Sequence, residues 1–127
     1  MTTTTTWTDD ELDSVEHAEE LDVASLRLSG TLSSWRTIWV VRVGDHIYVR
    51  SVYGPGSAWY RGTRARQEGR IKAGGVTKDV TFVDADEEIN EAVDAEYRRK
   101  YAHYAASIIQ AVTSDEARST TTRLVPR

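Results

Sequence analysis

The chain has 127 residues, a net charge of −4 and no cysteine; that length fits one domain, and the missing cysteine excludes disulfides, thiolate metal sites and a cysteine nucleophile. No apolar run approaches the length of a membrane-spanning helix, and the N-terminus lacks the basic-then-apolar pattern of a secretion signal, so a cytoplasmic protein away from membranes is expected. The acidic balance, with no basic motif interleaved with aromatics, speaks against a nucleic-acid partner.

Residues 1–7, with their run of threonines, read as a disordered tail, and a single domain is expected over 8–127. Thr8 and Glu11 have the spacing of a capping box, and Trp7 and Leu12 that of a hydrophobic staple, so a helix opens there. Asp9 and Asp10 suit its positive end. A short strand over 22–28 follows, closed by Ser29-Gly30. The strongest strand signal covers 35–43; Gly44-Asp45 is a two-residue turn, and 46–53 returns. That turn sets a register in which Val41 faces Tyr48, Val40 faces Val49, Trp39 faces Arg50, Ile38 faces Ser51 and Arg36 faces Tyr53. Ile38, Val40, Ile47 and Val49 then share one face, and Trp35, Trp39, Val41, Tyr48 and Val52 the other. Both faces are apolar and both need cover. One fills a barrel; the other meets a helix, a second subunit or a flat ligand.

Gly54-Pro55-Gly56 breaks the strand, and Ser57 is placed to cap a helix over 58–67. A hairpin over 69–73 and 76–83 turns at Gly74-Gly75 and sets Arg70 opposite Asp79. Ile89, Val93, Tyr97 and Tyr101 recur every four residues on a helix over 86–102. Tyr104, Ile108 and Val112 extend the stripe, so the helix either runs through or breaks near His103 into two. A strand over 119–125 closes the chain. The expected fold is α+β: six antiparallel strands in a closed or split β-barrel, with three or four flanking helices.

The three histidines are isolated, so no metal site is expected. Ser57 stands in a Gly-Ser-Ala-Trp context that is not a nucleophile elbow. Charge comes in blocks. Asp9 to Asp22 and Asp79 to Glu96 carry only acidic charges, whereas nine basic residues stand against Asp45 and Glu68 between Arg36 and Lys78. The basic block either faces an anion or neutralises its acidic neighbours. A strand end, a glycine loop and a helix start follow one another over 51–66, with Arg50, Arg61, Arg64 and Arg66 close in sequence; this is the layout of a phosphate site. Trp39, Trp59, Tyr60, Tyr97, Tyr101 and Tyr104 could wall a planar ring or build core.

The run Arg36-Thr37, Val49-Arg50-Ser51, Gly54 and Ala58-Trp59-Tyr60 resembles a pattern of the deazaflavin-dependent nitroreductase family, and Tyr97, Tyr101 and Tyr104 resemble its tyrosine-bearing helix. From Leu21 on the chain is identified as a member of the domain-of-unknown-function family 2255, through Thr37-Ile38-Trp39, residues 51–60, Ala73-Gly74-Gly75 and the run Thr122-Arg123-Leu124-Val125-Pro126-Arg127. The resemblance implies a split barrel of the flavin-binding type. It implies FMN or a deazaflavin coenzyme held by Arg36, Thr37, Arg50, Ser51, Gly54, Ser57, Trp59 and Arg61, with Tyr101 and Tyr104 as catalytic candidates beside the ring. Three readings stand: a flavin- or deazaflavin-dependent oxidoreductase; a cofactor-free small-molecule-binding protein, cyclase or isomerase; and a homodimerising module that pairs through the tryptophan-bearing hairpin face.

Overall fold

The computed structural model describes residues 6–127. The tail expected over 1–7 thus lies mostly outside the described residues, but Trp7 is packed: its ring is buried and its indole N–H donates to Leu124 O at 3.0 Å. Helix α1 (Asp9–His17) follows, with the full capping box between Thr8 and Glu11. Seven strands form one antiparallel sheet: β1 (Leu21–Ser25), β2 (Arg36–Ile38), β3 (Val41–Val43), β4 (His46–Val49), β5 (Glu68–Ala73), β6 (Val76–Asp84) and β7 (Thr122–Pro126). Between them run α2 (Ala58–Arg66), α3 (Asn90–Lys100), α4 (Ala106–Val112) and α5 (Asp115–Arg118).

The strand order is β2-β1-β5-β6-β7-β4-β3. Its two edges, β2 and β3, are separated in the chain only by Trp39 and Val40. Three Cα steps reach at most about 11 Å, so the sheet must curl until its edges meet. That is a split barrel, as the sequence implies.

The seventh strand arises because 35–43 is not one strand. The Gly44-Asp45 turn and the Val41–Tyr48 pair form as expected. Beyond Val41 the expected hairpin register ends. Arg36, Thr37 and Ile38 pair with Val23, Asp22 and Leu21 of β1 instead. β4 stops at Val49 because the next residues are tied elsewhere: Ser51 N–H donates to Thr120 Oγ1 at 2.8 Å, and Arg50 reaches inward to α3. The Gly74-Gly75 hairpin and the Arg70–Asp79 rung are as expected. The helix break near His103 is also present; the short α5 was not expected, although Ser114 followed by Asp115 and Glu116 is a helix-start signal.

Two apolar clusters divide along the two faces of the hairpin. Val40, Ile47 and Val49 join Leu21, Val23, Ile71, Val80, Phe82 and Leu124 inside the barrel. Val41 and Tyr48 pack outside it against Val93, Tyr97 and Tyr101, with Trp39 beside them. A helix, α3, therefore covers the outer face. Close approach is paid for with glycine at two places: a Cβ on Gly62 would stand 2.5 Å from Ser25 Oγ, and one on Gly69 2.2 Å from Ala24 O. These let α2 lie on β1, and β1 on β5.

Candidate functional site

A groove of about 640 Å³ runs along the edge strand β2, bounded by the loop after β4, the start of α2 and the α4 helix. Its aromatic lining is Trp35, Trp39, Tyr53 and Trp59; Ile108 and Val112 of α4 add an aliphatic wall. Register explains why Arg36 enters it. Arg36 pairs with Val23, and Val23 with Ile71; both partners are buried in the barrel, so Arg36 shares the inward face at the open edge. It makes no ion pair among the described residues. Thr37 lies on the other face and donates to Asp22 Oδ1 at 2.6 Å. Glu20 is the acidic member of the lining.

The loop after β4 is built from hydroxyls. Ser51 Oγ donates to Gly54 O at 2.7 Å and lies 2.7 Å from Ser57 Oγ. Gly54 has φ +76°, and a Cβ there would press on Glu116. Ser57 stands at the N-cap of α2 as expected, but its side chain makes no capping bond, because that hydroxyl is engaged with Ser51. Ala58 and Trp59, at the start of α2, border the groove, and the first turn holds no acidic residue; a helix start of this kind favours an anion.

Of the candidate cofactor-binding residues, Arg36, Thr37, Ser57 and Trp59 border the groove. Ser51 and Gly54 are buried behind its loop and shape it. Arg61 is exposed and is not part of the lining. Arg50 also borders the groove, yet it is only 2% exposed. Its guanidinium is committed internally: Nε donates to Thr121 Oγ1 at 2.9 Å, and the terminal nitrogens donate to Asp94 Oδ1, to Val112 O at 3.0 Å and to Asn90 Oδ1 at 3.1 Å. Its place is structural, because every donor already has a buried partner.

The two candidate catalytic tyrosines do not line the groove. Tyr101 is fully buried; its hydroxyl donates to Glu19 O at 2.8 Å and accepts from Val40 N–H at 3.1 Å. Burial pushes its pKa well above the usual tyrosine range. Tyr104 donates to Glu19 Oε1 at 2.6 Å, and that bond raises its pKa. Both rings lie against Trp39: Tyr101 stacked at 3.9 Å and 4°, Tyr104 tilted at 4.8 Å. The tyrosines thus back a wall of the groove.

Sequence reasoning missed Trp35, Tyr53 and Ile108 as lining. The alternation placed Trp35 on a covered face, and only the break at Trp39-Val40 brings it to an open edge. Tyr53 is 83% exposed; standing just before Gly54, it had the signal of a large aromatic in a turn. Among the described residues no cluster of three or more His, Asp or Glu converges as a metal site would need, and no helix is long and apolar enough to cross a membrane.

The family model described as "Uncharacterized protein conserved in bacteria (DUF2255)" matches residues 11–124, and the chain belongs to this family. A search of the curated proteins finds no match. Among solved structures the chain is similar to the heme storage protein HutZ from Vibrio cholerae, at 14% identity over 91% of this chain and 86% of that one, with a TM-score of 0.64. It is similar to an F420-H2 dependent reductase (FDR-A), at 15% identity over 84% and 93%, with a TM-score of 0.61. It is also similar to an F420 reductase, at 13% identity over 91% and 90%, with a TM-score of 0.54. At these identities the likeness is one of fold, the split barrel.

Proposed function

We propose that this DUF2255 family member binds a planar, anion-bearing small molecule in the groove beside β2, with FMN or a deazaflavin coenzyme as the cofactor, and that it is an oxidoreductase of the cytoplasm. The observation that carries this reading is the lining itself: four aromatic rings, an arginine without an ion-pair partner among the described residues and the first residues of a helix with no side-chain cap border one groove. Aromatic faces suit a flat ring, and Arg36 with the first amides of α2 suits a phosphate. The residues present therefore fit such a group. When bound, the cofactor supplies hydride transfer, and the protein supplies binding and orientation. Three proteins of the same fold are described by names that include F420, F420-H2 or heme, which is consistent with a ligand held by this scaffold.

One observation favours a second reading, a cofactor-free small-molecule-binding protein. Tyr101 has no free hydroxyl to lend to chemistry, and neither tyrosine lines the groove. Titration with FMN and with the deazaflavin coenzyme, followed by tryptophan quenching, separates the two. Binding near micromolar supports the first; no binding at tens of micromolar with either removes it. Because α3 covers the hairpin face expected to dimerise, a homodimer would use the exposed rim of Trp35, Val52, Tyr53 and Ile108, and sedimentation at high concentration tests that.

A further inference from the structure

The junction between β2 and β3 stands directly behind one wall of the groove, and two consecutive residues of α3 and its end hold it. Val40 N–H donates to the Tyr101 hydroxyl at 3.1 Å, and Val40 O accepts from Lys100 Nζ at 2.7 Å. At this point the chain passes from one edge of the sheet to the other, so Val40 has no strand partner. Side chains supply the bonds that a ladder would otherwise provide. Trp39 precedes Val40; its ring is stacked on Tyr101 and also lines the groove. Lys100 Nζ lies 5.3 Å from the centre of the Tyr101 ring.

We propose that Lys100 and Tyr101 are positioning residues for the groove: Tyr101 carries the Trp39 ring and holds Val40 N–H, Lys100 holds Val40 O, and the charge on Lys100 governs how firmly Trp39 stands as a wall. The inference rests on the proposed ligand-binding reading only where binding is measured. A protonated amine makes a charge-assisted bond to the carbonyl; the neutral amine makes a weaker one. Lys100 shares a cleft with Glu16, His17, Glu19 and Arg99. Glu16 and Glu19 reach it from α1 and the segment after it, and Glu96 and Arg99 from its own helix. The three carboxylates favour the charge, but burial outweighs them and lowers the Lys100 pKa to about 8. The charge is therefore lost within a pH range in which the fold can be studied.

The test is a pH series of 15N-labelled protein, following the Trp39 indole and the Val40 amide, with Trp39→Phe identifying the indole. Both resonances should move between pH 7 and 9 in the natural chain. They should stay still in Lys100→Arg, which keeps its charge, and in Lys100→Met, where they should differ from the natural protein at pH 7. Resonances that stay still in the natural chain, or titrate equally in Lys100→Met with the rest of the spectrum unchanged, overturn the proposal. FMN affinity should weaken about fivefold from pH 7 to 9, the worth of one hydrogen bond, and should not in Lys100→Arg. Resonances that titrate while FMN affinity stays constant would overturn the link to the groove. If FMN does not bind at all, the cofactor reading fails, and the resonances still decide whether Lys100 positions Trp39.

Discussion

Arg50 and Asp94 form a buried ion pair that ties the end of β4 to the middle of α3. Arg118 Nε approaches the other carboxylate oxygen at 3.3 Å, so Asp94 lies between two guanidinium groups. Removing one partner of a buried pair costs about 3–5 kcal/mol, because the other charge is left without compensation. Arg50→Met should therefore lower urea stability by that order. Adding Asp94→Asn should recover part of the loss, and an additive double mutant would contradict the pairing.

Arg36 lines the groove and Arg61 does not. Arg36→Ala should weaken FMN binding about tenfold, in the range of a hydrogen bond to a charged group, while Arg61→Ala should leave it unchanged within twofold. Fluorescence titration of both variants checks this. Equal losses from the two would move the phosphate away from β2.

Gly62 lets α2 touch β1 at Ser25. Gly62→Ala should destabilise by about 1–3 kcal/mol through overpacking. Ser25→Ala removes the clashing hydroxyl, so the pair should be less damaging together than the sum of the two singles. Gly69→Ala has no such remedy, because its new Cβ would meet a backbone carbonyl.

Stability should respond to alkaline pH in two directions. Lys100 has a folded pKa of about 8, against an ordinary value of 10.5. Between those values the unfolded chain holds the proton that the folded one has released, so this group makes stability rise with pH there. Tyr101 and Tyr97 are raised by burial. Above pH 10 the folded state keeps their protons while the unfolded state loses them, and stability falls. Urea melts of the natural chain and Lys100→Met should differ in slope between pH 8 and 10; parallel profiles would refute the assignment.

Trp7 closes the barrel on Leu124. Trp7→Ala should cost about 3–5 kcal/mol, as for other large aromatics lost from a core. Trp7→Phe should cost less, because it gives up the indole bond and keeps most of the packing. Thermal melts compare them; a neutral Trp7→Ala would mean that the segment is not part of the fold.

The capping box, both glycine hairpins and the alternation of the central hairpin were legible because each depends on neighbours in sequence. The interruption at Trp39-Val40 was not, because 35–43 is uniformly strand-like and its break is imposed by Lys100 and Tyr101 from far along the chain. The same distance hid the fate of Arg50. Its position beside Ser51 suggested an anion, but Asp94, Asn90 and Thr121 claim it from other elements. Arg36 was legible as a candidate through resemblance, and the β1 pairing accounts for its reach into the groove. Tyr101 was legible as an apolar-stripe member; what the stripe could not tell was that its hydroxyl is spent on backbone.

β7 is the last of the strands in chain order, yet it lies in the middle of the sheet, between β6 and β4, where Ile47 meets Leu124. The β1-β5-β6 portion and the β3-β4 hairpin are each built from nearer contacts, and β7 joins them in the sheet. Their union waits on contacts of very long sequence separation, which slows folding. Any conformation in which β7 has not inserted exposes two inner strand edges, so a change that weakens the hold on β7 should raise the tendency to aggregate.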